Sequence, residues 1–207
     1  MSHPGVRAAR VVVLVGVLSL LTAACSSGSA DDDLPEKLRK ITPSESPSAP
    51  LVHDGTDSLT DRTVSGDGFT MQVPADFEEQ SPTTRSGSTT YRWLKSVQGR
   101  QPPIIAVVTD PDPRSDAIEQ SKALEISLEA DPDVEVVRAP VTWPGAQRAI
   151  LLQWDQPQPG SDEVVTTWQL MAQVSPDLIM NALAVAPRGE FQDLDFDKIL
   201  ATFTLTG

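Results

Sequence analysis

Apolar residues are distributed along this chain in clearly different ways. Val11 to Leu21 is an unbroken apolar run, VVVLVGVLSLL. Residues 26 to about 66 show neither helical nor strand periodicity. From about Asp67 onward apolar and polar positions alternate, and that alternation predicts elements. Phe69, Met71 and Val73 share one face of a first strand, and Tyr91 and Trp93 share one face of a second over 89–96. Ile104 to Val108 is short, apolar and rich in β-branched residues after two prolines, which predicts a strand buried on both faces. Asp110-Pro111-Asp112-Pro113 reads as a rigid acidic loop. A helix follows, capped by Ser115 or Asp116, with Ala117, Ser121, Leu124 and Leu128 at helical spacing and Asp131-Pro132 as its stop. Val134–Trp143 and Ala146–Asp155 form a hairpin about Pro144-Gly145. Pro-Gly suits a type II turn, whose twist opposes a tight two-residue hairpin, so a longer loop is expected. Val164 to Val174 and Leu178 to Ala186 give two more strands. A closing helix over 193–202 carries Leu194, Ile199 and Leu200, and Phe203-Thr204-Leu205 ends the chain as a short extended piece. This order predicts an α+β domain on a mainly antiparallel β-sheet, with helices packed on its faces.

The first apolar run has a different meaning. Arg7 and Arg10 precede it, no acidic residue occurs before Asp31, and its 11 residues fall well short of the ~20 that span a bilayer. Thr22-Ala23-Ala24 then leads into Cys25, followed by Ser26-Ser27-Gly28-Ser29. This resembles a bacterial lipobox, with Thr22 where Leu is commonest and Leu21 one place upstream. The resemblance implies lipidation of the Cys25 thiol, with diacylglyceryl and palmitate-type chains, and signal-peptide cleavage between Ala24 and Cys25. An uncleaved apolar anchor or a buried thiol is the competing reading. Cys25 is the only cysteine, so it has no internal disulfide partner. Two acyl chains, at ~0.8 kcal/mol per buried methylene, hold a protein to a membrane stably where one holds it marginally.

Charge then sets the relation to that membrane. Loss of residues 1–24 leaves 14 basic and 29 acidic residues, a formal charge of −15. Such a surface is repelled by nucleic acid and by anionic headgroups, so no nucleic-acid partner is expected; simple solubility accounts for the charge equally well. The Ser, Thr, Pro, Asp and Gly of residues 26–66 cannot bury enough apolar surface to offset ordering, although Leu34–Ile41 has the pattern of a helical turn or two. A tether of roughly 40 such residues has an end-to-end distance of about 35 Å. The expected organisation is a signal peptide at 1–24, a lipidated cysteine and flexible linker at 25–66, and an α+β domain at 67–207.

Phe69-Thr70-Met71-Gln72-Val73-Pro74 at the domain's start, and Phe196-Asp197-Lys198-Ile199-Leu200-Ala201-Thr202-Phe203 near its end, resemble the actinobacterial LpqN/LpqT-type lipoproteins. The resemblance covers 67–207 as an order of elements. It implies a Mog1/PsbP-like sandwich, a cell-envelope location in an actinobacterium, and a binding or accessory role without catalytic residues.

The residues offer little chemistry of their own. With His3 in the signal peptide and His53 assigned to the linker, the domain is expected to lack both histidine and cysteine. That removes Ser-His-Asp and Cys-His catalysis and thiolate or imidazole zinc sites. Lysines in the domain are Lys95, Lys122 and Lys198, and only Lys122 lies near serines in sequence, Ser115 and Ser121. Asp110, Asp112 and Asp116 could meet a hard cation but lack the glycine and distal glutamate of an EF-hand loop, and read better as an acidic turn into a helix cap. Asp193, Asp195 and Asp197 read as the acidic start of the closing helix, and Gly66-Asp67-Gly68 lacks the later glycine and lysine of a phosphate loop. No metal or other cofactor is expected. Tyr91, Trp93 and Trp143 are the candidate ligand patch, with core packing as the competing role; an apolar groove between the sheet and helix 115–130 is the expected place for a pocket. The leading reading is a non-enzymatic, lipid-anchored envelope module for a protein or lipid partner. A carboxylate-dependent hydrolase of envelope glycans or lipids, or a structural surface protein, are the alternatives.

Overall fold

Strands form where the alternation places them, and two polar segments without any apolar pattern join them. The computed structural model describes residues 51–54, 62–98, 100–159 and 161–206. In chain order the elements are β1 (Arg62–Gly66), β2 (Phe69–Val73), β3 (Glu78–Arg85), β4 (Ser88–Leu94), β5 (Ile104–Pro111), α1 (Ala117–Leu128), β6 (Val136–Val141), β7 (Arg148–Pro157), β8 (Val164–Ser175), β9 (Leu178–Pro187), α2 (Arg188–Phe191), α3 (Phe196–Ala201) and β10 (Thr204–Leu205). They form a three-stranded sheet, β1-β2-β10, and a seven-stranded sheet, β3-β4-β5-β9-β8-β7-β6, in which neighbouring strands are antiparallel. The fold is α+β, as the order of elements requires.

The main core lies on the face of the large sheet that looks toward β2. Phe69, Met71 and Val73 of β2 meet Trp93 of β4, Ile105 and Val107 of β5, Leu151 of β7, Leu170 of β8 and the small residues Ala182, Ala184 and Ala186 of β9. Phe191, Phe196, Ile199 and Leu200 bring α2 and α3 onto the same core. The opposite face of the sheet packs against α1. Asp116 caps that helix by accepting from the Glu119 N–H at 2.9 Å, and Ala117, Ser121, Leu124 and Leu128 form its inward stripe. Leu124 and Leu128 cover Val136, Ile150, Leu152 and Trp154, while Ala117 sits on Met171 and Ile179.

Two strands went unread for different reasons. β1 presents one buried side chain, Val64, and is defined by its antiparallel register with β2 across the Asp67–Gly68 loop. β3 is exposed along its whole length, so no hydrophobic alternation exists to read. It is an edge strand, set by the Ser86–Gly87 loop, whose φ values of 52° and 92° are the pair that a type I′ turn requires. Pro82 falls within the bulge between Gln80 and Thr83, and Pro140 lies in the other edge strand, β6. A proline on each edge strand leaves a gap in the donor row that a neighbouring chain would use.

Other expectations are corrected by packing. The segment 110–113 is loop only in part, because β5 continues through Pro111 and the chain turns at Asp112, φ 55°. The closing helix expected over 193–202 is shorter, because Asp195 at φ 51° is left-handed and α3 starts only at Phe196; a separate short helix, α2, precedes it, and Phe191 and Phe196 meet edge to face, ring centres 5.4 Å apart. The hairpin at 144–145 is as expected: Ala146 N–H donates to the Trp143 carbonyl at 3.1 Å, Gly145 takes φ 82°, and residues 142–147 make the longer loop.

The folded unit also begins before residue 67. Besides β1, residues 51–54 lie on the domain as a strap: Leu51 is 3% exposed within the main core, and the Asp54 N–H donates to the Ala201 carbonyl at 2.8 Å. That hydrogen bond satisfies a carbonyl in the last turn of α3, where intrahelical donors run out. The signal peptide, Cys25 and the 34–41 segment lie outside the described residues.

If Leu51 is a core residue, Leu51→Ala should destabilise the full chain by about 2–5 kcal/mol in chemical denaturation. A flexible-linker residue at 51 would leave the midpoint unchanged.

Candidate functional site

The aromatic residues proposed as a ligand patch are interior. Trp93 is 1% exposed and Trp143 3%, while Tyr91 is half-buried. Phe69 joins Tyr91 and Trp93 edge to face, with ring centres 5.1 and 6.4 Å away, and Phe203 lies 5.9 Å from Phe69. The Trp143 indole N–H donates to the Phe203 carbonyl at 2.9 Å, and the Tyr91 hydroxyl accepts from the Asp67 N–H at 3.3 Å. These side chains hold the two sheets together and present no common outer surface. Strand alternation placed Tyr91 and Trp93 on one face correctly, but that face is the inward one.

His53 is part of the folded unit and not of a linker. Its ring packs edge-on against Trp143, 5.2 Å between centres, and its Nε2 lies 3.2 Å from Thr204 Oγ1. The Thr204 hydroxyl donates to the Thr202 carbonyl at 3.1 Å. With that proton so directed, Nε2 is left as the donor of the pair, an assignment inferred from the hydrogen bonds. An imidazole donating to a hydroxyl does not act as its base.

The remaining candidates are occupied structurally. Ser121 is buried, donates to the Ile118 carbonyl at 2.9 Å and accepts from Arg138 Nε at 2.9 Å, so it does not face Lys122 as a nucleophile. Asp110 accepts from Ser88 at 2.8 Å. Asp116 combines the helix cap with an ion pair to Arg148 at 2.9 Å, and the Asp112 N–H donates to the Asp177 carbonyl. The structure does not gather these three carboxylates; among the described residues no group of three or more His, Cys, Asp or Glu is placed to hold a metal ion. Asp195 pairs with Lys198 at 2.6 Å.

The α1 side of the large sheet carries polar side chains among buried apolar ones. Of the described helices only α1 packs on this side, over β6, β7 and β8. Beside it, one cross-strand row runs Gln80, Arg92, Ala106, Leu183, Gln169, Leu152, Arg138 from edge to edge. Leu152 and Arg138 lie under α1, with Arg138 Nε on Ser121. Arg92, Ala106 and Leu183 continue the row past the strands under the helix, with Ala106 and Leu183 buried. The adjoining row supplies Thr90, Val108 and Asn181. Gln169 and Asn181, 5% and 4% exposed, are linked by a 2.9 Å hydrogen bond from Gln169 Nε2 to Asn181 Oδ1. Polar side chains thus sit buried among apolar ones on this face. The alternation over 164–174 already separated Thr167, Gln169 and Gln173 from the apolar face; Arg92 and Asn181 carried no such signal, since their significance depends on which strands neighbour them.

No family model matches this chain, and no curated protein matches it by sequence. Among solved structures it is similar to LpqN of Mycobacterium tuberculosis, described as involved in cell envelope biogenesis, at 14% identity and TM-score 0.48, over 73% of this chain and 88% of that one. It is also similar to the Saccharomyces cerevisiae Ran-binding protein Mog1p, at 12% identity and TM-score 0.44, over 72% of this chain and 96% of that one. A Bacteroides thetaiotaomicron protein has 11% identity and TM-score 0.40, over 72% of this chain and 50% of that one. Identity at this level transfers no residue role.

The Asp195–Lys198 pair gives a measurable signature. Hydrogen bonding to Asp195, then its negative charge, raises the Lys198 ammonium above the ordinary lysine value. A folded-state value above the unfolded one stabilises at neutral pH, and the contribution is lost as pH rises through the folded value. Asp195→Asn should lower the Lys198 titration midpoint in an alkaline NMR titration; an unchanged midpoint would mean the pair does not form in solution.

Proposed function

We propose that this chain is a lipid-anchored protein of the cell envelope, held through Cys25 on the extracytoplasmic face of the membrane, whose domain binds a protein or lipid partner without catalysing a reaction. The observation that carries the binding role is the buried, hydrogen-bonded amide pair Gln169–Asn181, set among apolar side chains on the α1 side of the seven-stranded sheet. Sheets of this kind ordinarily bury one face and solvate the other. Apolar residues mixed with a few placed polar groups are instead the composition of a ligand site. The anchor rests on the lipobox-like residues around Cys25, and among the described residues no helix is long and apolar enough to cross a membrane. Of the acids, Asp110, Asp116, Asp155, Asp195 and Glu190 are each engaged by a neighbouring hydroxyl, backbone donor or cation, which weighs against the hydrolase alternative at those positions.

Cys25→Ala should move the protein from the membrane to the soluble fraction and abolish its acyl mass increment; a variant that stays membrane-bound would refute the anchor. Separately, a photo-cross-linker at Thr90, on the α1 side of the sheet, should give an adduct in whole envelopes, while one at Thr84, on the other face, should not. Equal yields from the two positions would sink this face as the contact surface.

A further inference from the structure

We draw no further inference here: the strongest candidate, the surface patch of half-buried Trp168, Gln153 and exposed Val137 on the face of the seven-stranded sheet opposite α1, carries none, because nothing in the structure shows what covers it.

Discussion

The fold depends on Phe69. It is fully buried on β2, the middle strand of the small sheet, and its ring touches Tyr91 and Trp93 of the large sheet and Phe203 just before β10. A three-stranded sheet has little independent stability. This one persists because its apolar face is laid on the core of a larger sheet, and aromatic edges and faces fix the approach. The Trp143–Phe203 hydrogen bond holds the same junction from the hairpin side. The aromatics are therefore occupied in joining layers.

The two faces of the large sheet are treated differently. Toward β2 the central strands present small side chains, Ala182, Ala184 and Ala186 on β9, which let α2, α3 and β2 approach closely. Toward α1 the same strands present Leu183, Asn181, Gln169 and Thr167. A single helix of 12 residues is ~18 Å long and cannot cover seven strands at ~4.8 Å spacing. Beyond the helix the polar side chains Gln169 and Asn181 are buried and satisfy each other through their hydrogen bond.

Residues 51–54 change how the tether meets the domain. Leu51, His53 and Asp54 grip the α3–β10 end through a core side chain, an edge-on ring and a backbone hydrogen bond. Burial of Leu51 was hidden in sequence because two adjacent apolar residues, Leu51 and Val52, among Pro and His show no period.

Sequence alone determined the strands with strong alternation, the cap and inward stripe of α1, and the Pro-Gly loop, because each depends on neighbours within a few residues. It also implied the α+β class from the order of elements. It left β1 and β3 unread, since edge strands with exposed side chains carry no apolar signal; it missed the four-residue α2, and it started the closing helix too early because a left-handed Asp195 leaves no mark on apolar spacing. It could say that Tyr91 and Trp93 share a face but not which way that face looks. The tertiary structure decided that direction, brought His53 into the fold, and set Arg92 beside Ala106. Those facts arise from strand pairing between segments far apart in the chain, where the deciding free energy is the burial of one surface by another.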